Sequence, residues 1–284
     1  MTLTSAPNLR EALSFPMNSQ TLPLRSVLVE RYVTPLREGG SMPAIVEADD
    51  LGTYVLKFGG AGQGVRALMA EIISGGIAKA LGLPVPEIVL AYLNPLLART
   101  EPDPEIQDLI RASEGLNVAL DYLPGSMNFD PSVDVVSNDF ASRLVWFDTL
   151  VSNVDRTARN TNLLTYRKQP WLIDHGASLT FHHAWNGQVA DPGKPFAPTA
   201  EHVLLQQATA LAQVDAELAA RLTPQVLTEI LANVPDCFLA QAASDRDDGA
   251  LQDVQAHRAG YVNYFLARLQ DRGRWVQGAI DARA

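Results

Sequence analysis

The sequence predicts an α+β fold built as two lobes, strand-rich in the N-terminal lobe and helical in the C-terminal lobe. Three observations predict it. Up to Leu123, short apolar runs are separated by glycine and proline turns. Beyond Pro124-Gly125, apolar residues recur at three- and four-residue steps over longer stretches. Between one such stretch and the next strand, a polar loop carries Asp155 and Asn160, and Asp174 follows ahead of Gly176. The chain then divides into an arm over 1–23, an N-terminal lobe over 24–123 and a C-terminal lobe over 124–284, together one domain.

The elements follow in order. Met1 to Pro23 mixes Pro, Ser, Asn and Thr and reads as a partly ordered arm. Val27 to Val33 is a strand, and the glycines of Leu36 to Pro43 mark a turn. Ala44 to Ala48 and Thr53 to Phe58 are two strands joined by a hairpin turn, Asp49-Asp50-Leu51-Gly52. Gly59 to Gly64 is a break, either a flexible flap or a connection. Val65 to Leu81 reads as a helix, because Leu68, Ile72, Ile73, Ile77 and Leu81 fall on helical spacing. Gly82 stops it, and Pro84 and Pro86 cannot continue it. Glu87 to Leu93 is a strand, Ile106 to Ala112 a short helix, and Asn117 to Tyr122 a strand closed by Leu123-Pro124-Gly125.

Asn138 to Ser152 carries Leu144, Val145, Phe147, Leu150 and Val151 on one side, with Ser137 or Asn138 as cap. Leu163-Leu164 starts a strand, and Trp171 to Ile173 is a short buried one. His182 to Pro198 is a loop. Ala200 to Gln213, Asp215 to Leu222, Pro224 to Asn233 and Gln252 to Arg272 read as helices.

Composition narrows the function. With 284 residues, 47% hydrophobic, the chain can bury a sizeable core. A net charge of -10 argues against nucleic acid or an anionic membrane as the main partner, since both need a basic surface. No apolar run approaches the roughly 20 residues that span a bilayer, and no charged-then-apolar leader opens the chain. The single cysteine, Cys237, permits no intrachain disulfide and fits a reducing compartment, so a cytoplasmic protein is expected. Cys237 itself is expected to be buried rather than reactive.

The chemistry concentrates in the loop. A carboxylate at Asp155 can accept a proton from an attacking hydroxyl, and Arg156 can stabilise charge or pair with a nearby carboxylate. Magnesium takes amide and carboxylate oxygens, which suits Asn160 and Asp174; Asn162 is a rival ligand or a turn residue. Base, amide and second carboxylate in this order are those of phosphoryl transfer from a nucleotide. Lys57, on the strand 53–58, and Glu71, on the following helix, form the pair that aims an ammonium at phosphates. Gly39-Gly40-Ser41 stands where a phosphate-covering turn is expected, although it lacks the Gly-x-Gly-x-x-Gly spacing. No Walker motif is present. His175, His182 and His183 suggest a metal, but no His-Glu-x-x-His accompanies them, and satisfied or solvated histidines are the better reading.

The run from Phe147 through Asp155-Arg156 to Asn160, with Ile173-Asp174-His175-Gly176, resembles the HipA-like kinases, in particular their short single-domain branch. Tyr54 to Phe58 and Glu71 to Pro86 resemble it too, so the likeness runs from about Val27 to Leu179. The resemblance implies a two-lobed protein-kinase-like fold, ATP and Mg2+. It implies Asp155 as catalytic base, Asn160 and Asp174 as metal ligands and Lys57 as the phosphate-binding lysine. Adenine is then expected near Asp121, Tyr122 and Leu123, between the lobes. Thr157 departs from the His that many relatives carry after Asp-Arg. The toxin members have extra domains, and a toxin role is not carried over. The expected function is an ATP- and magnesium-dependent phosphotransferase with an unknown hydroxyl acceptor, a protein serine among the candidates. The alternative is a catalytically weak nucleotide-binding module acting through protein interaction.

Overall fold

The structure, a computed structural model, describes residues 23–36, 42–62, 64–185, 191–244 and 253–284. Residues 1–22 of the expected arm lie outside the described residues. The first half is a sheet with one long helix: β1 (Ser26–Pro35), β2 (Ala44–Ala48), β3 (Thr53–Lys57), α1 (Val65–Ala80), β4 (Ile88–Leu93), α2 (Pro104–Ala112) and β5 (Gly115–Asp121). The strands run in the order β1-β2-β3-β5-β4, and β4 pairs in parallel with β1, which closes the sheet into a barrel.

Strand alternation does the placing. Tyr54 and Leu56 on β3 point inward, which turns Val55 and Lys57 to the opposite face. The hairpin turn between β2 and β3 forms as expected, with Leu51 at φ 65. The break after β3 is a held connection: Gly59 donates to Asn117 Oδ1 (2.8 Å) and Gly60 to Ser113 Oγ (3.0 Å).

The second half begins with β6 (Met127–Asn128) and α3 (Asn138–Val151), capped by Ser137, whose hydroxyl accepts from the Phe140 amide. β7 (Leu163–Tyr166) and β8 (Gln169–Leu172) pair antiparallel, with β6 against β7. Five helices follow: α4 (Leu211–Arg221), α5 (Pro224–Ala232), α6 (Asp236–Ser244), α7 (Val254–Gln270) and α8 (Arg272–Arg283).

Three expectations are corrected. Ala200 to Gln213 is not a helix; it holds short 3-10 turns, Ala197–Glu201 and Leu205–Gln207, and α4 begins only at Leu211. The backbone there is committed elsewhere: Val203 donates to the Arg156 carbonyl, and His202 bridges to Thr157. Tertiary pairing overrides a helical composition. The separate helix expected from Asp215 is the second part of α4. Cys237 is exposed, because α6 turns Phe238, Leu239 and Ala242 inward and leaves the cysteine on its outer side.

Two apolar cores result. The smaller fills the barrel with Val27, Val29, Val46, Tyr54, Leu56, Val89 and their neighbours. The larger joins the outward residues Ile88, Val118 and Leu120 of the sheet to α1 and to the helices of the second half. Helix α1 therefore shares its core with the second half, although it lies in sequence within the first. Among the described residues, no helix is long and apolar enough to cross a membrane.

Candidate active site

On the sheet side, Lys57 ends β3 with its side chain only 11% exposed; Nζ lies 2.6 Å from Asp174 Oδ1 and 3.9 Å from Glu71 Oε2. Glu71 projects from α1 and is buried, not the surface glutamate a lone helix position suggests. It accepts from the His175 backbone N–H (2.9 Å) and meets His175 Nδ1 at 3.2 Å. Burial works against the charged form of Lys57, but Glu71 and then Asp174 outweigh it and hold the ammonium's pKa above its ordinary value. Burial likewise pushes Glu71 up, and Lys57 and His175 bring it below the usual carboxylate range.

Asp174 lies two residues past the end of β8 and is itself the left-handed residue of the turn, at φ 55. The sequence assigns the sharp turn to Gly176, where an added Cβ would meet its neighbours at ordinary contact distances. The strained backbone falls on the carboxylate residue, as functional loops often show. The turn is anchored behind: Ser178 Oγ donates to the His175 carbonyl (2.7 Å) and meets Ser74 Oγ of α1 at 2.6 Å.

On the loop side, α3 ends at Ser152 in the left-handed region. The loop that follows is organised by Asp148, a buried residue one turn back on α3. Asp148 accepts from Arg156 Nε (2.6 Å) and Asn153 Nδ2 (2.9 Å) and meets His202 Nε2 at 2.9 Å. Sequence reading leaves Arg156 either at the reacting charge or paired with a nearby carboxylate; the pairing is realised, and Arg156 is 1% exposed. Its guanidinium also donates to the carbonyls of Thr161 and Asn162. Asn153 Oδ1 accepts the Asp155 amide at 3.0 Å. The Asp155 carboxylate then receives Asn160 Nδ2 (2.8 Å) and Asn162 Nδ2 (3.1 Å).

Both sides meet at a cavity of about 1170 Å³ lined by Lys57, Asp174, Asn160 and Asn162 at one part and by Val55, Leu120, Asp121, Tyr122 and Leu123 at another. Asp155 is not a lining residue; it reaches the cavity through Asn160 and Asn162. Gly39, Gly40 and Ser41 lie outside the described residues; Leu36 and Pro43, on either side of them in sequence, line the cavity, and Leu36 N–H donates to Pro43 O at 2.7 Å. The apolar part suits a flat heterocycle and the polar part a charged tail.

Asn160 donates its amide nitrogen to Asp155, so its oxygen is the atom left for a cation. With the Asp174 carboxylate this makes a hard oxygen donor set. Among the described residues, no group of three or more His, Cys, Asp or Glu is placed to hold a metal. An oxygen pair of this kind suits an ion that brings phosphate and water oxygens with it. Sequence reasoning missed the supports, Asp148, Asn153, His175 and His202; an aspartate within an apolar run, eight residues before an arginine, is the one local signal it offered.

A family model described as HipA-like kinase matches residues 29–263. A crystal structure of the Helicobacter pylori proinflammatory kinase CtkA is 13% identical, covers 92% of this chain and 98% of its own, and superposes with a TM-score of 0.50. The Golgi casein kinase is 11% identical, covering 88% of this chain and 72% of its own with a TM-score of 0.43. The same kinase with Mn/ADP bound is 12% identical, covering 90% and 75%, with a TM-score of 0.41. At such identity the first shows likeness of fold, and that fold is kinase-like. No protein of curated function matches the chain.

Proposed function

The chain belongs to the HipA-like kinase family, and from that premise we propose that it transfers the γ-phosphoryl group of ATP, with magnesium, to a hydroxyl acceptor. One observation carries the reading: Lys57, Asn160 and Asp174, from three separate segments, line a single cavity, and Asp155 is bonded to its wall. A protein serine is the acceptor we favour testing first.

We read the chain as two lobes, about 24–123 and 124–284, with the nucleotide between them. Val55, Leu120 and Leu123 would flank adenine. Lys57 would bind the phosphates, held at the cavity by Glu71. Lys57 also pairs with Asp174, so nucleotide phosphates would compete for its ammonium. Asn160 and Asp174 would hold the metal, which when bound neutralises phosphate charge. Asp155 would accept the proton of the attacking hydroxyl. Arg156 acts at one remove, by fixing the loop to Asp148.

The test has two parts. ATP with magnesium should raise the melting temperature, because a ligand that binds only the folded state stabilises it by mass action. Mass spectrometry after incubation with isotopically labelled ATP should find the label on the protein or on a component of a cell extract. A melting curve indifferent to millimolar ATP-magnesium would defeat the reading.

A further inference from the structure

We propose that Asn162 is the residue that positions the Asp155 carboxylate for phosphoryl transfer; this rests on the reading just given. Asn162 Nδ2 donates twice to the same residue, to the Asp155 carbonyl at 3.2 Å and to its carboxylate Oδ2 at 3.1 Å. One amide group thus ties the backbone and the side-chain end of Asp155 together, which fixes its side-chain torsion. The other amide on that oxygen belongs to Asn160, which is exposed. A bond to an exposed side chain competes with water, whereas Asn162 is 7% exposed.

Asn162 is itself held from both sides of the site. Its carbonyl accepts from the buried Arg156 guanidinium and from the Ile173 N–H at 3.1 Å, one residue before Asp174. Its backbone sits at φ 46, in the left-handed region that asparagine tolerates better than most side chains. The chemistry needs this hold. The acceptor oxygen forms a bond to the γ-phosphorus, the bond from that phosphorus to the β-phosphate oxygen breaks, and ADP leaves with the electron pair. The acceptor's proton passes to Asp155. A carboxylate free to turn from the acceptor loses that step, and misplacement by about 1 Å can cost on the order of 100-fold.

The experiment uses the full chain with Asn162→Gly and Asn162→Asp. Glycine keeps the left-handed backbone at no steric cost and removes the side chain with its amide. Aspartate keeps the size and sets an anion against Asp155. The readouts are the Kd for ATP-magnesium by calorimetry, KM and kcat for ADP release with water as acceptor, and the melting temperature. We expect Asn162→Gly to leave Kd and KM within about twofold while kcat falls by roughly 10–100-fold, and Asn162→Asp to lower kcat further. Unchanged kcat in both variants would overturn the proposal. So would a loss of metal-dependent binding matching that of Asn160→Ala with kcat retained, since that marks a metal ligand. If the wild type binds nucleotide but neither releases ADP nor passes labelled phosphate to itself or to a component of a cell extract, the phosphotransfer reading fails on its own. The positioning is then read directly from a crystal structure of either variant that folds. A carboxylate turned away from its wild-type place upholds it, and one left in place sinks it.

Discussion

Asp148 is a buried carboxylate surrounded by Arg156, His202 and Asn153. Burial alone would raise its pKa, but Arg156 and then His202 bring it down to about 2, from an ordinary 3.8. A depressed pKa contributes stability above the unfolded value and loses it as pH falls through the folded one. Between pH 3.8 and pH 2 this residue should therefore cost the fold about 2 kcal/mol. Glu71, also depressed, adds to the acid loss in the same direction. At neutral pH, Asp148→Asn strands a buried guanidinium and should destabilise by about 3–5 kcal/mol. Its acid limb should then be shallower than the wild type's in urea midpoints taken from pH 4.5 to 2; parallel curves would contradict the assignment. Asp174, which lines the cavity, and Asp155, which is bonded to its wall, divide differently. Asp174→Asn should weaken magnesium-dependent ATP binding in calorimetry, and Asp155→Asn should leave it nearly intact while turnover is lost.

At the scale of elements, α1 is built to sit close. An added Cβ at Gly75 would lie 2.3 Å from Ile88 Cδ1, and at Gly76 it would lie 2.8 Å from Ile230 Cγ2 on α5. The first contact is the end of a flexible side chain; the second is a branch methyl in a filled core. Gly76→Ala should gain up to about 1 kcal/mol in helix propensity and lose about 1–3 kcal/mol to overpacking, a net loss visible in urea denaturation. The barrel strands, α1, α3 and α5 were legible because each carries its own periodicity and punctuation. Helix α8 was not: its apolar contribution is Trp275, Val276 and Ala279 amid polar residues. The segment from Ala200 was misread because the bonds that straighten it come from the Arg156–Thr157 loop, far away in sequence. The site divides the same way. Asp155 and Asn160 fall in one short loop and read together. Glu71 and His175 are 104 positions apart, and Asp148 and His202 are 54 apart, so no local pattern announces either pair.

The described residues form two cores, with one helix assigned across the sequence boundary. Helix α1 follows the barrel strand of Lys57 yet packs with α5 and α6 in the larger core. Amide exchange should group accordingly, with α1 protected to the same free energy as α3 and α5 rather than as the barrel. Exchange of α1 with the barrel strands would contradict the division. In kinases generally, the position of the helix that carries the glutamate is a regulatory variable. Here that helix is pinched between Ile88 and Ile230, bonded through Ser74 to Ser178, and its Glu71 grips the residue after Asp174. It is a lever welded to its frame. Were the barrel to shift against α1, Lys57 would part from Glu71 and Asp174 together, and the Ile88 contact beside Gly75 would be lost with them. An off state of this protein would be a displaced barrel.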